Sequence, residues 1–241
     1  MPNTYFFSDA HLGIGPREED RYKERSIISF LEMVRQDGET LFIMGDLFDF
    51  WFEYDSVVPK GYFRLFTKLA DLTSAGINVS YLAGNHDFWL KTYFRDELGM
   101  EVFPDPVDRV IHGKRFYLHH GDGLLKNDTG YRILKRILRN KVNISLFSLL
   151  HPDLASRIAA WSSRKSRKHT SNRIYEGNDM VEFAGQKIKQ GFDYVVMGHN
   201  HVAQISAIGG GIYVNLGDWI TEYTYAVFDG TKLDLKKWSA G

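Results

Sequence analysis

Apolar positions along the chain follow two rhythms. Five short runs are apolar almost throughout: "TYFF" (4–7), "TLFIM" (40–44), "VSYLA" (79–83), "RFYLH" (115–119) and "YVVM" (194–197). Each is short and rich in aromatic and β-branched residues, as strands buried on both faces are. Between the first three runs the spacing turns helical. Ile27, Ile28, Leu31 and Val34 recur at helical spacing over 21–36. Phe63, Phe66, Leu69, Ala70 and Leu72 do the same over 62–74, and Gly76 is placed to cap that helix. A β-α-β-α-β order predicts a partly parallel sheet with right-handed crossovers. Near the end, "GIYVNLG", "YTYAVFDG" and "KLDLKKW" predict a β-meander, turning at Gly209–Gly211, Gly217–Asp218 and Asp229–Gly230.

Residues 124–162 depart from this pattern and predict two or more helices. Ile133, Leu134, Ile137 and Leu138 make an apolar stripe, with Arg132, Lys135, Arg136 and Arg139 on the other faces. Leu146, Phe147, Leu149 and Leu150 follow, then Leu154, Ile158 and Trp161. "SSRKSRKHTSNR" (162–173) predicts a polar, basic loop.

Charge sharpens that boundary. The formal net charge is zero over 241 residues, yet 123–175 hold 12 Lys/Arg against two acids, Asp128 and Asp153, which leaves 18 Lys/Arg against 28 Asp/Glu elsewhere. A basic amphipathic module set into an acidic body predicts an anionic partner. A chain of this length with 44% hydrophobic residues suits one α/β domain over 1–241, carrying 123–175 as an insertion, rather than two equal domains. The absence of cysteine excludes disulfides and thiolate ligands and fits a reducing compartment. No apolar run reaches the roughly 18 residues of a membrane span, and "MPNTYFFSDAHLG" lacks the charged and apolar regions of a signal peptide. The expectation is a cytoplasmic protein.

Candidate chemistry follows each of the five strands. Asp9 and His11 stand after the first, in "SDAHLG"; Asp46 after the second, in "MGDLFDFW"; Asn85 after the third, in "GNHD". His120 stands after the fourth, in "HHGD", and His199 and His201 after the fifth, in "MGHNHV". Loops at the carboxyl ends of strands are where α/β proteins assemble ligand sites. Neighbouring glycines (Gly13, Gly45, Gly84, Gly121, Gly198) permit the turns that bring such groups together. Oxygen and imidazole donors without sulfur suit Mn²⁺, Fe²⁺ or Zn²⁺. Seven donors exceed the needs of one catalytic ion, and a carboxylate such as Asp46 can bridge two. Other histidines read as structural or solvated: His119 as buried, His112 as a hairpin turn residue, His151 as lacking any motif, His169 as part of the basic loop.

This order of motifs closely resembles the calcineurin-like metallophosphoesterases: D-x-H, G-D, G-N-H-D, H near G-D, and G-H-x-H. The resemblance covers nearly the whole chain. It implies an α/β fold, a four-layer α-β-β-α sandwich with a helical cap insertion, and a dinuclear metal site at one edge. By the same resemblance, Asp9, His11, Asp46 and His201 hold one ion, and Asp46, Asn85, His120 and His199 the other. His86 lies near the phosphate and serves the leaving oxygen, and Asp87 orients it. A narrower resemblance, carried by "GDLFDFWFEYD" and "HGDGLLKNDTGYRILKR", is to the UDP-2,3-diacylglucosamine diphosphatases of lipid A synthesis. It implies a nucleotide-linked acylated sugar as substrate, cleaved at its pyrophosphate to UMP and a lipid sugar phosphate. It also implies contacts from Asp128, Tyr131, Ser166, Thr170 and Arg173. One position departs from the subgroup: its best-known members have arginine where this chain has His86. A basic amphipathic insertion also suits an anionic membrane surface. Two rival readings are a nuclease or nucleotide phosphodiesterase, its basic segment tracking a nucleic-acid backbone, and a phosphoesterase-like scaffold without activity. No obligate protein partner is evident in the sequence. Phe88 and Trp89 are expected to pack the following helix, with lining of the substrate groove as the alternative.

Overall fold

A computed structural model describes residues 1–125, 129–158 and 178–239. Its strands are β1 (Asn3–Phe7), β2 (Gly38–Ile43), β3 (Asn78–Leu82), β4 (Glu101–Phe103), β5 (Val107–Ile111), β6 (Lys114–Leu118), β7 (Tyr194–Met197), β8 (Ala203–Ile208), β9 (Gly211–Leu216), β10 (Thr224–Phe228) and β11 (Leu233–Lys237). Its helices are α1 (Arg17–Asp37), α2 (Phe63–Ser74), α3 (Tyr93–Asp96), α4 (Thr129–Leu138), α5 (Lys141–Ser148) and α6 (Asn178–Lys189).

The strands form two sheets, ordered β11-β10-β1-β2-β3-β4 and β5-β6-β7-β9-β8. β1 through β4 run parallel, and so do β6, β7 and β9; β5, β8, β10 and β11 pair antiparallel. Period-two alternation splits each central strand between two cores. Tyr5, Phe7, Leu41 and Ile43 face α1 and α2, in a core with Ile27, Phe30, Leu31, Val34, Leu65 and Leu69. Phe6, Phe42 and Met44 point the other way, into the space between the sheets, where they meet Phe116, Leu118, Val196, Val214 and Phe228. Val195, Met197 and Tyr213 pack under α6 through Met180, Ala184 and Ile188. The layers are therefore α-β-β-α, as expected.

All five apolar runs are strands, within a residue or two at each end. α1 and α2 carry their buried residues at the expected spacing. α2 ends at Ser74, and Gly76 follows at φ +88°. The hairpin between β8 and β9 turns through Gly209 and Gly210, both at positive φ. β4, β5 and β8 had no counterpart in the sequence reading. They are edge or near-edge strands with partly exposed, mixed residues, so no unbroken apolar run marks them.

In the insertion, α4 and α5 lie where the apolar stripes predict helices, and 152–158 is also helical. The basic loop at 162–173, with Trp161 and His169, lies outside the described residues. Among the described residues, no helix is long and apolar enough to cross a membrane.

Candidate metal centre

Past the ends of β1 and β2 the two chains keep pairing. Asp9 donates its N–H to the Gly45 carbonyl, His11 to the Asp46 carbonyl and Leu12 to the Leu47 carbonyl, at 2.9–3.1 Å. Both loops are thus locked side by side at the edge of the sheet. The backbone there is unusual. Among the described residues, eight non-glycines have φ in the left-handed region, and five of them are Asp9, His11, Asp46, His199 and His201. Each costs of order 1 kcal/mol or more, so the surroundings must hold these conformations.

The side chains converge. Asp9, His11 and His201 form one cluster and Asp46, His120 and His199 another, each with donor atoms within 4.8 Å of one another. Asp46 Oδ2 lies 3.6 Å from His11 Nε2 and 3.3 Å from His120 Nε2, so this carboxylate reaches both clusters. His11 Nε2 is 3.2 Å from His201 Nε2, and Asp9 Oδ1 is 3.5 Å from His201 Nε2. Asn85 Oδ1 is 3.0 Å from His120 Nε2. All seven expected donors therefore gather at one edge.

The donor set fits divalent cations. Asp9 Oδ1 is buried without a hydrogen-bond partner, in a protein that satisfies nearly all such atoms. Burial opposes ionisation of Asp46, but His120, His86 and His11 outweigh it and hold its carboxyl well below the usual range. Burial opposes protonation of His11 and His120 too, but Asp49 and Asp9 at His11, and Asp46 at His120, outweigh it and push both imidazoles up to about 10. Burial and the neighbouring His120 push His199 down to about 4. Without a cation, protons on His11 and His120 balance the carboxylates.

Surrounding groups fix ring orientation. His120 Nδ1 donates to the Met44 carbonyl at 2.8 Å, which turns Nε2 toward Asn85 and Asp46. Asp218, absent from the sequence reading, faces His201 Nδ1 at 3.6 Å and accepts the N–H groups of Ile220, Thr221 and Glu222. Gly84 allows close approach: a Cβ there would collide with the Asp46 carboxylate and come within 2.5 Å of the Asp46 amide nitrogen.

One expected role changes hands. Asp87 is fully buried, and its carboxylate accepts from the N–H groups of Asp46, Phe48 and Gly84 and from the Tyr81 hydroxyl. It ties the second and third loops together and does not reach the His86 ring. Asp49 does: its carbonyl accepts from His86 Nδ1 at 3.0 Å, and its carboxylate lies 3.6 Å from the same nitrogen. Asp49 also lies 3.8 Å from His11 Nδ1. The signal was present in "GDLFD", where a second aspartate three residues after Asp46 stands within reach.

Phe88 and Trp89 follow the alternative expectation for them. They line a cavity of about 320 Å³ with His86, Asn85, Phe50, Leu134, Ile137, Leu138, Phe147 and Ile158. This cavity opens between α4, α5 and the metal centre. Trp89 Nε1 donates to the Leu138 carbonyl at 3.0 Å, and Arg139 donates to the carbonyls of Gly84 and Pro104. Tyr131 lines the same cavity and donates its hydroxyl to Asp122 at 2.7 Å; Lys135 sits on the same carboxylate oxygen at 2.7 Å. Asp128, Ser166, Thr170 and Arg173 lie outside the described residues. His119 is buried and accepts the Gly121 N–H, His112 sits in the β5–β6 turn at φ +47°, and His151 is exposed.

A family model described as calcineurin-like phosphoesterase matches residues 2–203. The UDP-2,3-diacylglucosamine hydrolase of Porphyromonas gingivalis (strain ATCC BAA-308 / W83) is 34% identical over 251 residues, covering 96% of each chain. The protein of the same name in Pseudomonas fluorescens (strain SBW25) is 30% identical over 222 residues, covering 88% of this chain and 86% of its own. Among solved structures, an archaeal phosphodiesterase is similar in fold, with a TM-score of 0.50 over 98% of this chain and 99% of that one, at 14% identity.

Proposed function

The chain belongs to the calcineurin-like phosphoesterase family, and from that premise we propose that it hydrolyses the pyrophosphate of UDP-2,3-diacylglucosamine, or of a similar nucleotide-linked lipid, to UMP and a lipid sugar phosphate. The curated relatives' names point to that substrate. The observation that carries it to this chain is the apolar cavity of about 320 Å³ walled by α4 and α5 and opening onto Asn85 and His86. A phosphodiester without acyl chains has no use for such a wall, whereas two acyl chains need one beside their phosphates.

Asp9, His11, Asp46 and His201 would hold one divalent ion, and Asp46, Asn85, His120 and His199 a second; the mixed oxygen and imidazole donors are compatible with Mn²⁺, the ion proposed, and with Fe²⁺ or Zn²⁺. Two such ions lower the pKa of water and neutralise charge on phosphoryl oxygens. The residues themselves supply position. Asp46 joins both halves, and Met44 and Asp218 keep His120 and His201 turned inward. His86 is held through Nδ1 by Asp49, so Nε2 is the atom left to meet the phosphate or donate a proton to the leaving oxygen. A histidine here, where related diphosphatases have a fixed guanidinium, can both carry charge and transfer a proton. Asp87 keeps the Asp46 and Gly84 loops in register. The cap at 123–175 grips the acyl chains. Its exposed Ile133, Ile137, Leu146 and Leu149, set among Lys and Arg, suit a peripheral position on an anionic cytoplasmic membrane face.

The test is hydrolysis in Mn²⁺ of UDP-2,3-diacylglucosamine, of a UDP-sugar without acyl chains, and of bis-p-nitrophenyl phosphate. UMP release confined to the acylated substrate supports the proposal. Turnover of the simple diester alone overturns it.

A further inference from the structure

We infer that Lys23 and Asp20, on the first turns of α1, form a clamp that sets the Asp9–His11 loop for metal, with Lys23 as a positioning residue. This rests on the metal assignment proposed above. In the sequence "REEDRYKER" these residues look like an ordinary solvated helix face. In the structure Lys23 is only 4% exposed. Its ammonium has three N–H donors and three acceptors. Two are the carbonyls of Ala10 and His11, each at 3.0 Å, and the third is Asp20 at 3.5 Å.

The two carbonyls belong to the peptide groups on either side of His11. That residue has φ +43°, and Asp9, two residues earlier, has φ +57°. The clamp thus grips a stretch whose backbone would relax if left alone. Asp20 completes it by accepting the Gly13 N–H at 2.6 Å. Four consecutive loop residues, 10 to 13, are therefore fastened to α1 at three points. The opposite side of the loop is fastened by the second loop's carbonyls and by the Trp219 N–H, which the Asp9 carbonyl accepts. A buried ammonium needs all its partners. α1 places one here although a lysine at that position could instead have turned to solvent, as the nearby Tyr22 and Arg25 do.

Lys23 makes no contact with the Asp46, His120 and His199 cluster. Its loss should therefore affect one half of the centre. The test compares wild type, Lys23→Met and Lys23→Arg, purified whole in Mn²⁺, by metal content per chain and by electron paramagnetic resonance. Wild type is expected to hold two ions with a spin-coupled spectrum. Lys23→Met should hold one, with the hyperfine-split spectrum of isolated Mn²⁺, and Lys23→Arg, which keeps the donors, should recover the coupled pair. If Lys23→Met does not fold, Asp20→Ala reads the same clamp from its more exposed side and should weaken the ion held by Asp9, His11 and His201 at least tenfold. Two ions and a wild-type spectrum in the folded Lys23→Met or Asp20→Ala variant overturn the inference, even if melting temperature falls. A wild type that never holds more than one ion overturns the metal assignment and this inference with it.

Discussion

Replacing Phe147 by alanine should separate lipid handling from phosphoester chemistry. Phe147 lies on α5, its ring centroid 4.9 Å from Trp89, 5.0 Å from Phe52 and 6.5 Å from Phe50. Such aromatic pairs contribute about 0.5–1.5 kcal/mol each beyond the area they bury. Two close pairs and one distant one give roughly 2 kcal/mol, and lost burial of the half-exposed ring adds about 1 kcal/mol. That loss falls on two things: the docking of α5 against the body and the wall that faces the acyl chains. If the two share it about equally, the roughly 1.5 kcal/mol borne by the wall should, at about 1.4 kcal/mol per decade, lower kcat/KM for UDP-2,3-diacylglucosamine by roughly tenfold. The metal donors stand on loops after β1, β2, β3, β6 and β7 and do not touch Phe147. Turnover of bis-p-nitrophenyl phosphate should therefore stay within about twofold, since surroundings beyond direct contact usually act additively and weakly. Phe147→Leu should keep most of the acylated activity. UMP release and nitrophenolate release, measured on the same preparations, decide it. An equal fall with both substrates, or no fall with the acylated one, refutes the reasoning.

Metal uptake should strengthen as pH rises from 6 to 8. His11 and His120 sit near 10 in the metal-free protein, so both carry protons at neutral pH and must lose them to become ligands. Calorimetry with Mn²⁺ in buffers of different ionisation enthalpy should show net proton release; none would contradict the protonated pair. Asp46→Ala should abolish hydrolysis together with metal binding, because its carboxylate reaches both clusters. His86→Ala should lower turnover by about 10²–10⁴-fold, the usual worth of a positioned proton donor, with metal content unchanged; loss of metal in that variant would refute the role given to His86. Gly84→Ala should weaken metal binding at least tenfold, since its Cβ collides with the Asp46 carboxylate; wild-type affinity would show that the loop yields.

Much of this was readable from the chain alone, for a physical reason. β1, β2, β3 and β7 are buried on both faces toward their carboxyl ends, and β6 nearly so, so each ends in an apolar run and the donors follow directly after it. A reader who finds the strand ends finds the site. What escaped notice depends on how side chains turn in space. Asp87 and Asp49 are equally plausible neighbours of His86 in sequence, and only the packing shows that Asp87 is occupied by three N–H groups and the Tyr81 hydroxyl. Lys23 and Asp20 carry the charges of a solvated helix, and the burial of Lys23 comes from the loop folding over it. Asp218 lies on the crossover from β9 to β10, which belong to different sheets rather than to the one meander expected, and it reaches His201 because Trp219 anchors that turn on the Asp9 carbonyl. Phe88 and Trp89 were expected to pack the next helix. That helix, α3, is a single turn, and the insertion's α4 and α5 take its place as their partners.

The central claim is that the bond broken is the pyrophosphate of a nucleotide-linked lipid. Mass spectrometry of the products from UDP-2,3-diacylglucosamine, with the Mn²⁺-loaded enzyme in ¹⁸O-labelled water, tests it most directly. The account predicts equal amounts of UMP and the acylated sugar phosphate, with one ¹⁸O in one of the two. Release of UDP, or intact substrate beside hydrolysed simple diesters, would contradict it.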